Sequence, residues 1–236
     1  MDFKSEASLK WLYSQKITKV KDLARIVQAS YLWNEENNHT EELTEKLISS
    51  KNRDSWNSDL RDTSRAASAL ALKGIVFPDI ERWVLSKQAE RSWNNDVYDT
   101  TYALIALADM SSYNPEGCGW LIDNYGKKWE HPGTTALIIT ALSKQAKLEN
   151  EDTFSDFITE RARWIISQQE SEGAWKTLAT SNLVIQSLIL TGHKDETAIP
   201  LKWILSHINS NGSWGKEGGD INTTSLSLIT LWQYMD

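Results

Sequence analysis

The chain has 236 residues, 40% of them hydrophobic, and a formal net charge of −7. An acidic chain of this kind excludes a partner held mainly through phosphates, because such contacts need clustered Lys and Arg; no nucleic-acid partner is expected. One cysteine, Cys118, excludes an intrachain disulfide framework and fits a reducing, cytoplasmic setting.

The opening residues, Met1 to Ser8, carry no apolar core, and no run approaches the ~18 apolar residues of a membrane span, so neither a signal peptide nor a transmembrane segment is expected. Apolar residues recur at helical rather than strand spacing along the chain. A first helix is predicted from Ser8 to Tyr13 and a second over Asp22 to Leu32. A polar connection follows from Asn34 to Thr40, then a helix over Glu41 to Ser49. Asn52 to Asp59 reads as a turn around Trp56. Asp62 to Lys73 is helical, with Gly74 as its C′ residue, and Pro78 suits the first turn of the next helix. That helix carries Trp83, a polar turn carries Trp93, and Asp99-Thr100 opens another helix. Asn114 to Gly119 reads as a turn holding Cys118. Trp120 to Tyr125 and Thr134 to Lys144 are helical, and Gln145 to Asp156 is a polar insertion. Phe157 to Gln169, Thr180 to Thr191, Pro200 to Ile208 and Thr223 to Tyr234 complete the helices.

These helices fall into copies of one plan. A leading column holds Trp11, Leu47, Trp83, Trp120, Trp164 and Trp203, at steps of 36, 36, 37, 44 and 39 residues. A trailing column holds Trp56, Trp93, Trp129, Trp175 and Trp214, each 9 to 11 residues after its leading partner. Ten of the twelve tryptophans stand in these columns, so registration by chance is a poor explanation. The helices following the trailing Trp are apolar almost all round, as in T-T-A-L-I-I-T-A-L-S, and a helix of that kind is buried on several faces. Those carrying the leading Trp, such as I-E-R-W-V-L-S-K-Q, keep a charged side. Six buried helices within six amphipathic ones describe a single all-α domain over residues 1–236: an (α/α)6 toroid, or barrel, of six hairpins with inner and outer helix rings.

The columns resemble the QW repeats of the squalene–hopene and oxidosqualene cyclases, in which an aromatic–aliphatic pair is followed by Gln and then Gly-x-Trp. Trp164-Ile165, Gln169 and Gly173-Ala174-Trp175 fit that pattern. Trp203-Ile204 with Gly212-Ser213-Trp214 fits with Ile208 in the Gln place, and Trp83-Val84, Gln88 and Trp93 fit with Arg91 in the Gly place. The resemblance implies the α/α toroid of the prenyltransferase and terpene-cyclase superfamily, with the Trp and Gln tying outer helices to turns. Those cyclases are far longer, and this chain matches one of their two domains.

Class II terpene cyclases protonate an alkene or epoxide with the middle Asp of D-x-D-D-T-A. The matching segment is Asp96-Val97-Tyr98-Asp99-Thr100-Thr101, where Tyr98 stands in the donor's place; a phenol of pKa ~10 is a poor acid for an alkene. A shifted register makes Asp99 the acid. Asp59 and Asp62 repeat the D-x-x-D spacing, so four carboxylates are expected near one another, where close approach would keep one neutral. A plainer reading is open: the column Asp22, Asp62, Asp99, Thr134, Thr180 and Thr223 consists of good helix N-caps. One turn on stand Arg25, Arg65, Tyr102, Leu137, Leu183 and Leu226, half cationic and polar, half apolar. Arg25 and Arg65 would suit an anionic head, or would pair with Asp22 and Asp62 along the helix.

The only cysteine and the four histidines, His39, His131, His193 and His207, show no ligand spacing, so no zinc site, other metal or cofactor is expected. Pro115 to Leu121 resembles half of a complement-type thioester motif, but Leu121 replaces the Gln that closes the bond. The resemblance therefore implies a small terpene-cyclase-like isomerase acting on an isoprenoid or similar apolar substrate. Asp99, Asp96, Asp62, Asp59 and Tyr98 are the catalytic candidates, and Arg25, Arg65 and Tyr102 would contact substrate. The alternative is a non-catalytic toroid binding a lipid, a peptide or a protein, with a peripheral membrane among its partners.

Overall fold

The computed structural model describes residues 3–33, 38–150, 152–216 and 218–236. Among them, twelve α-helices carry the fold and the only strands are two-residue pieces, Gln88–Ala89 against Ser92–Trp93. The protein is all-α, as expected. Of the connection expected over Asn34 to Thr40, residues 34–37 lie outside the described residues, and residues 38–40 are helical, opening the helix Asn38–Ser49.

The chain divides into two compact units, one spanning residues 50–168 and the other residues 1–49 with 169–236. The first unit holds α4 (Leu60–Ala71), α5 (Pro78–Ser86), α6 (Val97–Asp109), α7 (Pro115–Asp123), α8 (Pro132–Ala146) and α9 (Ser155–Ser167). Here α6 packs between α4 and α8, while α5, α7 and α9 flank these three. The second unit holds α1 (Glu6–Tyr13), α2 (Val20–Trp33), α3 (Asn38–Ser49), α10 (Leu178–Leu190), α11 (Ala198–Ser206) and α12 (Ile221–Met235). Here α12 packs between α2 and α10, with α1, α3 and α11 against them. Each unit thus has a central layer of three helices and a flanking layer of three.

The two layers differ because their sequences do. The central α8 buries twelve of its fifteen residues, as its nearly all-round apolar pattern requires. The flanking α9 buries only Ile158, Ala162 and Ile165, a single stripe at i, i+4 and i+7 with charges elsewhere. Each fully buried Leu or Ile contributes roughly 1.5–3 kcal/mol, so the central layer supplies most of the hydrophobic stabilisation.

Helix ends repeat from copy to copy, and here the structure corrects one expectation. The N-caps are Asp59, Asp96, His131, Thr177 and Asp220, whose side chains accept from amides two or three residues on. They lie one turn before the column Asp62, Asp99, Thr134, Thr180 and Thr223, which sits inside the helices. The helices start earlier because an Asp, His or Thr at the earlier position already satisfies the first free N–H groups. At the other end, Gly74, Ser111 and Gly192 take left-handed φ of 73°, 64° and 81°. The amides that follow them reach back to Leu70, Leu107 and Leu188 at 2.8–3.0 Å, closing α4, α6 and α10 with the same Schellman-type bond.

A second correction concerns residues 114–119. They form no turn: Asn114 accepts from the Gly117 amide at 2.8 Å and starts α7. A Cβ on Gly117 would lie 3.0 Å from both Leu104 and Trp93, so close packing rather than chain reversal accounts for that glycine. Cys118 is buried within α7, and burial pushes its thiol up to about 12, which leaves it unreactive.

Candidate functional site

The Trp columns separate in the structure. Trp56, Trp93, Trp175 and Trp214 of the trailing column are almost fully buried. Trp11, Trp83, Trp164 and Trp203 of the leading column are half-exposed. Trp93 donates from Nε1 to the Val84 carbonyl at 2.7 Å, and Trp214 to the Ile204 carbonyl at the same distance. Each therefore ties its turn to the flanking helix before it. The main chain is locked as well: the amides of Trp56, Trp93, Trp175 and Trp214 donate to the hydroxyls of Thr63, Thr100, Ser181 and Thr224. That hydroxyl column escaped the sequence reading, although a Thr or Ser directly follows each residue of the Asp62, Asp99, Thr180 and Thr223 series. One copy departs from both columns: Trp120 is buried, Trp129 is half-exposed, and their rings lie 5.3 Å apart.

The candidate acid residues meet at the N-terminal ends of α4 and α6. The Arg61 Nη2 donates to Asp96 Oδ1 at 2.9 Å, and its Nε donates to Asp99 Oδ1. The same Asp96 oxygen accepts from the amides of Tyr98 and Asp99, both at 2.9 Å. Asn94, held at φ 55° in the turn after Trp93, donates to Asp99 Oδ2 at 2.7 Å. Burial alone would lower the Arg61 guanidinium, but the hydrogen bond and charge of Asp99, with the charge of Asp96, outweigh it and hold it above its ordinary value. The Asp99 side chain is 13% exposed, against 40% for Asp96 and Arg61, so Asp99 is the more enclosed carboxylate.

Asp59 and Asp62 stand apart from this bridge. Asp59 caps α4 through the Asp62 amide at 2.8 Å, and Asp62 accepts from Asn57 at 2.9 Å. The pair Asn57–Asp62 is the counterpart of Asn94–Asp99 one copy earlier. Of the four carboxylates expected together, the structure joins Asp96 and Asp99 through a cation rather than through direct contact. Arg61 and Asn94 were missed in the sequence; the available signal was that Arg61 precedes Asp62 and would share one helix end with the neighbouring D-x-x-D.

Half-exposed side chains of α6 form one stripe, Tyr98, Tyr102, Ile105 and Asp109, at i, i+4, i+7 and i+11. Tyr98 is 39% exposed, and its hydroxyl lies 2.9 Å from that of Thr134 on α8. The Arg61 guanidinium lies 5.6 Å from the Tyr98 ring centroid, and that of Arg65 lies 4.1 Å from Tyr102, both within cation–π range. At the far end, Lys144 of α8 donates to Asp109 at 2.5 Å. The stripe is thus bound to α4 on one side and α8 on the other, and Arg65 and Tyr102 are in contact. Arg25 sits on α2 in the other unit, where Nη1 donates to Gln28 at 3.1 Å.

The chemistry available is that of an ion-paired carboxylate couple beside stacked arginines and phenols. Among the described residues, no three of His, Cys, Asp and Glu converge in a way that could hold a metal ion, and no helix is long and apolar enough to cross a membrane. No protein-family model matches the chain, and no curated protein matches it.

Proposed function

We propose that this protein is a small α/α toroid of the QW-repeat kind that takes an isoprenoid-like ligand against its central helices and carries out an acid-initiated cyclisation or rearrangement. The observation that supports it is the start of α6, where an enclosed carboxylate, Asp99, stands beside the stripe of Tyr98, Tyr102 and Ile105. A carboxyl group beside aromatic faces can protonate an alkene and shelter the resulting carbocation. The same end supplies Arg61 and Arg65 for an anionic head.

A second reading has its own support. The Arg61 bridge engages both Asp96 and Asp99, and an ion-paired carboxylate is a proton acceptor. That arrangement favours a non-catalytic module binding a lipid, peptide or protein. The test is incubation of the purified protein with prenyl diphosphates of several chain lengths, together with lipid extraction. A cyclised product that disappears in Asp99→Asn supports the enzyme. A co-purifying isoprenoid without turnover supports the binding module, and neither ligand nor product at any length overturns both isoprenoid readings.

A further inference from the structure

Arg61 and Arg65 leave α4 one turn apart and on the same side, each over a tyrosine ring of α6. Their partners differ. Arg61 spans two carboxylates. Arg65 is half-buried against Tyr102 and has no carboxylate partner among the described residues. A chain of net charge −7 thus leaves a cation unneutralised next to an ion-pair bridge. Burial against an aromatic face weakens hydration of the guanidinium but leaves its fork of donors for an oxyanion.

We propose that these two arginines form a site for a tetrahedral oxyanion, a sulfate- or phosphate-type group, and that filling it draws Arg61 away from Asp99, which takes up a proton from solvent. The ligand anion and the Asp99 carboxylate then compete for one guanidinium. The carboxylate loses its cation as a second anion arrives beside it, and two like charges at short range favour protonation of one. The proton balance is simple: one proton leaves water and binds Asp99 for each anion seated at Arg61. The inference rests on the isoprenoid reading only for its biological ligand, a diphosphate head; the exchange itself belongs to the side chains.

The charged and titratable groups set against Arg61 are Asp96, Asp99, Tyr98 and Tyr102, with Asp62 and Arg65 on the same helix as Arg61. Asn94 keeps its bond to the other Asp99 oxygen at 2.7 Å. It can hold the side chain in place after Arg61 departs, because a protonated carboxyl's carbonyl oxygen still accepts from an amide N–H.

Sulfate is the probe, because it does not titrate in the working range. Its affinity for the full chain is measured from the Nε–Hε chemical shifts of Arg61 and Arg65 between pH 7 and pH 4.5, at constant ionic strength. The wild-type affinity is expected to rise at least threefold more across that range than that of Asp99→Asn. At pH 7, Asp99→Asn is expected to bind sulfate at least fivefold more tightly than wild type, because the competing charge has gone. Arg65→Gln should weaken binding in both backgrounds. The inference is overturned if Asp99→Asn leaves sulfate affinity unchanged or lower at pH 7, or if neither protein shifts the arginine signals. Circular dichroism confirms that the near-isosteric variants fold. Exchange without turnover of any prenyl diphosphate would sink the enzyme reading and leave this one standing; turnover without exchange would do the reverse.

Discussion

The turns at Trp93 and at Trp214 solve one problem with different residues. Both bury the indole, both donate its N–H to the preceding flanking helix, and both fasten the Trp amide to a hydroxyl in the following helix. Two residues before each Trp the backbone is left-handed: φ is 84° at Gly212 but 69° at Arg91. At Gly212 an added Cβ would lie 2.9 Å from the Ala7 main chain, so α1 packs directly on the glycine. At Arg91 the side chain runs outward to Asp123, 3.0 Å away and exposed. The fold therefore demands the backbone conformation in both places, and demands glycine only where another segment closes over it.

The comparison can be broken most forcefully at its shared feature. Trp93→Ala and Trp214→Ala should each cost roughly 3–5 kcal/mol through lost burial and the cavity left behind, read as matching shifts in urea midpoint. A large effect at one and a small one at the other would show that the two locks are unequal. Next in size, Gly212→Ala should destabilise by about 2–3 kcal/mol, since strain at positive φ adds to the clash with Ala7. The reciprocal change sharpens the contrast. Arg91→Gly should be neutral or stabilise by up to about 1 kcal/mol, because relief of the left-handed strain outweighs an exposed ion pair of little worth. A loss above about 1 kcal/mol in thermal or urea unfolding would mean that Arg91 is held by more than Asp123.

The smallest expected effect distinguishes the anchors beside these turns. Near Trp214 the anchor is neutral: the Ser8 hydroxyl donates to the Gly212 carbonyl at 2.6 Å. Near Trp56 it is charged: Lys51 Nζ donates to Asp79 at 2.6 Å, and that hydrogen bond, with the Lys51 charge, holds the Asp79 carboxyl below its ordinary value against the opposing effect of burial. A depressed carboxyl pKa contributes stability above the unfolded-state value, and the contribution is lost as pH falls through the folded one. Lys51→Met should therefore cost more at pH 7 than once Asp79 is protonated, when only the bond to the Arg53 carbonyl and the contact with the Phe77 ring remain to be lost. Ser8→Ala should show no such convergence. Urea titrations at pH 7 and at low pH check both.

Much of the candidate site was legible, but its connectivity was not. The D-x-x-D spacing placed Asp96 and Asp99 at a helix start, and the repeat placed Arg65 and Tyr102 at equivalent positions on neighbouring helices. Asp96, rather than Asp99, proved to be the cap, because helix starts carry a one-turn ambiguity when polar residues stand at both positions. Arg61 went unnoticed because its partners lie 35 and 38 residues away, and no local rule pairs residues at that range. The glycines of α7 looked like a turn because sequence alone does not distinguish a glycine that bends the chain from one that admits a neighbour.

By itself, the sequence determined the all-α class, the repeat, and which helices would be buried all round. Those follow from periodicity and composition, which act along the chain. Tertiary structure decided which carboxylate receives the guanidinium, which Trp column is buried and which glycines are obligatory. Each of these depends on distances between segments far apart in the chain, set by packing the central and flanking layers together.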